Sequence, residues 1–237
     1  MKSECDLGQD RNGASGTLFP WARGLTPEHL ERVRATLVER EYAAGSIIFR
    51  RGEKLSHWCG VLEGLLRVSR DTPRGKTIST YPCLGKGTWF AEDALMRNAA
   101  LPYDVVAVRA TRLVLVPGAT FKWLLTDSLV FNRFIIEQLS LRVQRFIDQL
   151  EIDRLRDPEV RIARCIAWMI NTLPGATDDG AADHEIEISQ EELGRIAGTS
   201  RQRVNRAVQR LKKERLLATN YCRIKVVDIN RLRAFGA

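Results

Sequence analysis

Apolar residues change their spacing several times along this chain, and each change marks an element. From Thr26 to Glu39, Leu30, Val33 and Leu37 fall on one face of a short helix that Thr26 would cap. From Arg40 to Pro117 the apolar runs shorten and alternate. Ser46–Phe49, His57–Leu62, Leu65–Ser69, Thr77–Tyr81, Val105–Ala110 and Leu113–Val116 read as strands. Gly45, Gly52, Gly64, Gly75, Gly85 and Gly87 mark the turns between them. Short strands with such turns predict a small antiparallel roll or barrel. At Ala119 the period becomes helical and stays so to about Arg156. There Leu139, Val143, Phe146 and Leu150 recur at spacings of four, three and four, the seam of a coiled coil. The seam can pair with a second copy or pack on its own roll. A homodimer is the expectation. Asp157-Pro158 ends this helix and starts another, because proline suits a first helical position and aspartate caps it. Ile162, Ala163, Ile166, Ala167 and Ile170 form the next apolar stripe, and a loop follows over 173–184.

The segment from Ile188 to Leu217 reads as two helices with separate start signals. Ser189 caps the first, with Glu192 as its capping-box partner. Ser200 caps the second, and Gly198 permits the tight turn between them. Leu193, Ile196 and Ala197 share one face, as do Val204, Ala207, Val208 and Leu211. Opposite stand Arg201, Gln202, Asn205 and Arg206, side chains able to bond base edges in a major groove. This is a helix-turn-helix pattern. A two-stranded wing is expected over 218–227, then a short helix capped by Asp228.

Charge separates this reading from a merely solvated helical pair. Arg195 to Lys225 holds ten Lys or Arg against Glu214, a balance of +9, while the whole chain carries +8. The positive field is therefore concentrated on the helix-turn-helix, as phosphate binding requires. At 237 residues and 44% hydrophobic, one or two domains with ordinary cores are expected. No apolar run is long enough to span a bilayer, and no secretory signal opens the chain. The five scattered cysteines suit a reducing compartment, so a soluble, cytoplasmic protein without a membrane partner is expected.

Roll, long helix, hinge and winged helix-turn-helix, in that order, resemble the superfamily of the cyclic-AMP receptor protein and the fumarate–nitrate reduction regulator (Crp/Fnr). The resemblance runs from Phe19 to Phe235. It is most specific in the glycine turn series and in Gly-Thr-Ser-Arg-Gln-Arg-Val-Asn-Arg at 198–206. It implies an α+β fold: a polar tail (1–18), an effector-sensing jelly-roll-like β-roll (19–126), a dimerisation helix (127–156) and a winged helix-turn-helix (157–237). It also implies a homodimeric transcription regulator, more often an activator, that works with RNA polymerase on palindromic double-stranded DNA. Ser200 and Arg201 then begin the recognition helix. Gln202, Asn205 and Arg206 take its base-reading positions, and Ser189 and Gln190 meet phosphate. Arg206 would read guanine. Many relatives carry Glu where Gln202 stands, and Gln favours adenine over the cytosine that Glu accepts from.

The effector region departs from cyclic-AMP binders. Glu92 matches the family's ribose-holding Glu, but Ala91 replaces the Gly before it. Pro102 and Tyr103 stand at the phosphate-binding Arg-Ser pair, and Phe146-Ile147 replace the adenine-contacting Thr-Ser pair. Without the Arg no fixed cation meets a cyclic phosphate. This argues against cyclic AMP; Glu92, Tyr103 and Phe146 remain the candidate effector residues. Because the seam and the hinge lie in series, an effector near Glu92 and Tyr103 is expected to shift the seam and re-aim the hinge at Asp157-Pro158. An iron–sulfur cluster lacks converging ligands, since only Cys5 lies in the tail. For haem the candidate ligands are His29, His57, Cys59 and Cys83. His57 and Cys59 should share a strand face; if that face is outward, Trp58 points inward instead. Cys59 and Cys83 could form a redox pair or be small buried hydrophobes. Tyr81, Trp89, Met96, Tyr103 and Phe146 could line an aromatic pocket or be plain core. A cyclic dinucleotide has no specific residue in its favour. Among enzymes the nearest rival is a cupin, which needs converging His and carboxylate ligands; the roll offers His57 alone. Glu92-Asp93, read as extended, would point apart. An effector-free DNA binder is the other rival.

Overall fold

A computed structural model describes residues 18–71, 77–155, 157–172, 185–220 and 223–236. These fall into two compact units that divide within the long helix, between Val143 and Gln144, with Tyr81–Cys83 grouped with the second. The expected loop at 173–184, Gly75 and Cys5 lie outside the described residues.

In the first unit a single 3-10 turn at Pro20–Ala22 leads to α1 (Pro27–Arg34). Thr26 caps α1 by accepting from the His29 backbone N–H. The helix stops short of the expected Glu39. Thr36 turns its hydroxyl back onto the Val33 carbonyl at 3.0 Å, and the chain then extends into β1 (Val38–Tyr42). The roll continues with β2 (Ile47–Phe49), β3 (His57–Glu63), β4 (Leu65–Asp71), β5 (Thr77–Gly85), β6 (Trp89–Phe90), β7 (Asp104–Ala107) and β8 (Thr111–Pro117). Two antiparallel four-stranded sheets result, ordered β1-β8-β3-β6 and β2-β7-β4-β5. A helix missing from the sequence reading, α2 (Glu92–Arg97), lies between β6 and β7.

Strand β3 is buried on both faces. Trp58 and Leu62 join Trp89, Val114 and Val116 in a core shared with Phe121 and Phe131. The alternate residues Cys59, Val61, Leu113 and Leu115 are buried as well. Phe90, paired in register with Cys59, meets Phe49 of the second sheet at a centroid distance of 6.3 Å. Trp58 and Cys59 therefore both point inward, into different layers, and the inward-or-outward alternative does not arise. A strand covered on both sides loses its polar alternation.

The helical layer is α3 (Gly118–Asp127) followed by the 26-residue α4 (Leu129–Arg154). The expected single helix from Ala119 is broken at Ser128, which is extended at φ −124°, ψ 109°. Its hydroxyl accepts from the Phe131 N–H at 3.2 Å and so caps α4. Trp21, Trp58, Trp89, Phe121 and Phe131 form one aromatic cluster, closest at Trp58–Trp89 with 4.2 Å between centroids.

In the second unit, α5 (Pro158–Thr172) starts at Asp157, whose carboxylate accepts from the Glu159 N–H at 2.7 Å. Then come β9 (Glu185–Glu187), α6 (Gln190–Ile196), α7 (Arg201–Lys213), β10 (Leu217–Asn220), β11 (Arg223–Val226) and α8 (Ile229–Arg233). The three strands form one antiparallel sheet ordered β10-β11-β9, so β9 extends the expected two-stranded wing. Asp228 caps α8 by accepting from the Arg231 N–H at 2.9 Å. Among the described residues no helix is long and apolar enough to cross a membrane.

Candidate functional site

Helix α6 begins in a complete capping box. Ser189 accepts from the Glu192 N–H at 3.1 Å, and Glu192 accepts from the Ser189 N–H at 2.7 Å. The helix ends through Gly198 at φ +61°, with the Thr199 N–H donating to the Gly194 carbonyl at 2.9 Å, a Schellman closure. The sequence reading missed Gly194. A Cβ there would lie 3.0 Å from the Thr199 carbonyl and 3.5 Å from Val204, so its missing side chain lets the two helices approach. A glycine inside a helical pattern was the available signal.

Helix α7 starts at Ser200, which accepts from the Arg203 N–H at 3.4 Å. Val204, Ala207, Val208 and Leu211 are fully buried, while Arg201, Gln202, Asn205 and Arg206 are exposed on the opposite face. In α6, Leu193 and Ile196 are buried, and Ala197 just after it is partly covered. Gln190 faces Asn205 across the turn, its amide nitrogen 3.5 Å from the Asn205 carbonyl oxygen. Two residues singled out separately thus share one surface. The +9 balance is partly tied down. Arg210 pairs with Glu159 at 2.6 Å and Glu214 at 3.3 Å and lies over the Phe235 ring. Arg195 pairs with Glu191, and Arg223 with Glu185. Arg210 therefore braces α7 against α5, whereas Arg201 and Arg206 remain on the open face.

In the first unit Glu92 sits at the start of α2, 1% exposed. Its carboxylate lies 2.6 Å from Arg142 Nη1, and Arg142 Nη2 donates to the Trp89 carbonyl at 3.1 Å. Neither carboxylate oxygen receives a well-aligned hydrogen bond from a described residue. Burial pushes the Glu92 carboxyl above its ordinary range. The Arg142 charge is the main opposing influence, helped by the Glu92 backbone N–H and the Trp58 indole, while Asp93 adds to the rise. Tyr103 is half-buried, and its phenol is pushed up to about 12, by burial first and then by Asp93. Asp93 occupies the same first helical turn as Glu92, which corrects the extended reading, and pairs with Arg97 at 3.4 Å. The residue before Glu92, Ala91, has φ 81° and ψ 4°, the left-handed region that glycine adopts freely. Phe146 lies in the second unit on α4, 49% exposed. Arg142 was not found in the sequence; no local signal ties it to Glu92.

The remaining candidates take other places. His57 is half-buried with its Nδ1 2.8 Å from the Ser56 hydroxyl, and burial, then Arg40, lowers its pKa. Cys59 is fully buried, and that burial drives its thiol pKa far up, which opposes thiolate formation. The side chains of Cys83 and Tyr81 lie outside the described residues. His29 pairs with Asp127 at 2.9 Å between α1 and α3. Among the described residues no group of three or more His, Cys, Asp or Glu could hold a metal ion. Trp89 belongs to the aromatic cluster, its indole N–H donating to the Leu18 carbonyl at 2.8 Å, and Met96 is exposed.

Comparison with known proteins agrees with both units. Residues 39–128 match the cyclic nucleotide-binding domain, and residues 160–235 match the Crp-like helix-turn-helix domain. The transcriptional regulator LdrP of Thermus thermophilus is 28% identical over 193 residues, 81% of this chain and 94% of that one. The cAMP-activated global transcriptional regulator CRP of Haemophilus influenzae is 26% identical over 75% of this chain and 78% of its own. In fold the chain is similar to FixK2 of Bradyrhizobium japonicum, with TM-score 0.69 and 16% identity over 85% of this chain and 98% of that one. LdrP and CRP are transcriptional regulators rather than enzymes, so the cupin alternative has no support. With a cyclic nucleotide-binding domain followed by a Crp-like helix-turn-helix, the chain belongs to the Crp/Fnr family of DNA-binding transcription regulators.

Proposed function

We propose that this chain is a homodimeric, cytoplasmic transcription regulator that reads palindromic double-stranded DNA and acts mainly as an activator through RNA polymerase. The observation that carries it is the open face of α7. Arg201, Gln202, Asn205 and Arg206 stand together on a helix whose other face is closed by Val204, Ala207, Val208 and Leu211. Arg206 reads guanine through O6 and N7, and Gln202 favours adenine. Ser189, Gln190 and Ser200, at helix N-termini, bind phosphate. The dimer is supported by α4, where Leu129, Ile136, Val143 and Leu150 recur every seven residues at 80%, 62%, 62% and 57% exposure. A heptad stripe left open on one chain fits a second copy. Two recognition helices would then enter successive major grooves about 34–36 Å apart.

The signal sensed in the β-roll is, on this reading, not cyclic AMP. Pro102 and Tyr103 offer no cation for a phosphate, and Arg142 already neutralises Glu92. The names of the relatives do not decide this, because cAMP-activated regulators stand beside one whose name carries no ligand. Glu92, Tyr103 and Phe146 remain the effector candidates, with the hinge at Asp157-Pro158 as the moving part. Selection from random duplex DNA at fixed salt tests the whole reading. Enrichment of a palindrome with half-sites one turn apart is expected, with adenine enriched opposite Gln202. Unchanged affinity on adding cyclic AMP is also expected. A tightening by cyclic AMP would overturn the effector assignment, and no binding at any salt would overturn the assignment of α7. Identical affinity with and without metabolite extracts would favour the effector-free alternative.

A further inference from the structure

The second unit contains a cleft of about 350 Å³ that the DNA-reading face does not use. Its lining comes from residues on both sides of Asp157-Pro158. Asp148, Glu151 and Ile152 come from the end of α4, Leu155 from just after it, Arg164, Ala167 and Trp168 from α5, and Arg233 from α8. Its volume falls in the range of about 300–1,000 Å³ typical of small-molecule sites. The floor is apolar, with Ile152, Ala167 and Trp168 buried. The rim carries two acids on the α4 side and two arginines on the other. Glu151 and Arg164 make no hydrogen bond or ion pair with another described residue, although they line the same cleft. Asp148 accepts from the Gln144 amide at 3.0 Å, so the pair complementary to a molecule bearing both charges on an apolar body is Glu151 and Arg164. The heptad stripe does not compete for this space. Val143 and Leu150 belong to the stripe, whereas Ile152 lies on another face of the same helix and Leu155 follows its end, so a helix-paired dimer leaves the cleft open.

We propose that this cleft binds a free α-amino acid with an apolar or aromatic side chain, and that binding sets the angle between α4 and α5. The ammonium group meets Glu151, supported by Asp148. The carboxylate meets Arg164, with Arg233 adding positive charge. The side chain covers Trp168 and Ile152. Because the lining comes from both sides of Asp157-Pro158, the ligand bridges the hinge and favours one hinge geometry over the others.

The test is isothermal titration of the full-length protein with each apolar and aromatic amino acid, alongside 3-phenylpropionate and 2-phenylethylamine. At least one amino acid should bind with one site per chain. For an aromatic ligand, each analogue lacking one charge should bind about tenfold or more weakly. Glu151→Gln should weaken the amino acid but spare 3-phenylpropionate, and Arg164→Gln should weaken the amino acid but spare 2-phenylethylamine. No heat from any amino acid at millimolar concentration overturns the proposal, as does binding that survives both substitutions. The titration needs no DNA, so its failure is separate from a failure of the DNA-binding reading. DNA affinity measured with and without the bound amino acid then reads the hinge. An unchanged affinity would overturn the hinge role.

Discussion

Replacing Arg142 by Met would remove the cation from a carboxylate that is almost fully buried. Glu92 and Arg142 approach to 2.6 Å, and the Arg142 side chain is itself 22% exposed. Charge centres about 4 Å apart attract by about 4 kcal/mol at the effective dielectric of a protein surface. Desolvation offsets much of this in the intact pair. Deleting one partner leaves the other's desolvation uncompensated, and such losses run to about 3–5 kcal/mol. The hydrogen bond to the Trp89 carbonyl disappears too. The loss must depend on pH. Glu92 already has a raised pKa, and Arg142 is the largest influence holding it down. In Arg142→Met the folded-state pKa rises further above the unfolded value. Folded protein then binds more protons than unfolded protein, so stability falls as pH rises through that window and recovers as Glu92 protonates. The same dependence exists in the parent chain, over a narrower pH range.

Urea unfolding followed by tryptophan fluorescence would measure this. Trp21, Trp58, Trp89 and Trp123 all lie in the first unit, against Trp168 in the second, so the signal is dominated by the region concerned. We expect a loss of about 3–5 kcal/mol at pH 7.5 that shrinks at pH 5. Glu92→Gln combined with Arg142→Met should restore most of it, since a neutral amide requires no counter-charge. A loss below about 1 kcal/mol at pH 7.5, or one independent of pH, would refute the assignment of Glu92 as a buried charge held by Arg142.

Four further substitutions probe separate links. Ala91→Gly should raise stability by about 0.5–1 kcal/mol, because Ala91 holds φ 81°; a lower melting temperature would contradict this. Gly60→Ala should lower it by about 1–3 kcal/mol, since the new Cβ would lie 2.7 Å from the Trp89 indole; unchanged near-ultraviolet dichroism and melting would count against that packing. Val143→Glu places a charge in the heptad stripe and should shift sedimentation toward monomer, whereas an unchanged species would move the dimer contact elsewhere. Arg206→Ala should weaken the selected DNA site by about 1–3 kcal/mol and relax one base pair, and equal loss on every sequence would make it a phosphate ligand instead.

What could be read in advance follows from how local each cause is. Ser189, Glu192, Ser200 and Gly198 act within a few residues of themselves, so the helix-turn-helix and its caps were legible, as was the start of α5 at Asp157-Pro158. Turns closed by ordinary residues were not. Ala91, Asn98 and Arg215 adopt positive φ without being glycine, and α2 went unseen beside the first of them. The break at Ser128 was hidden because apolar residues continue on both sides of it. Strand β3 was recognised but its faces were not, since burial on both sides removes the polar positions that would orient it.

The effector region shows the same limit at its most consequential. Glu92 could be picked out by its place in a familiar segment, and the missing cations could be counted at Pro102 and Tyr103. Arg142 lies on a different element, and helical periodicity gives no reason to single it out from the other arginines of α4. Only the fold brings it to Glu92. The pair changes what the site can accept. A ligand that approaches Glu92 must either leave Arg142 in contact with the carboxylate or supply a cation in its place, because an unpaired charge at that depth costs several kcal/mol. An anionic ligand could instead draw Arg142 away, but it would then leave Glu92 uncompensated. The arrangement therefore selects for ligands that are neutral or cationic beside Glu92, a constraint that no residue in the segment from Gly87 to Leu95 expresses by itself.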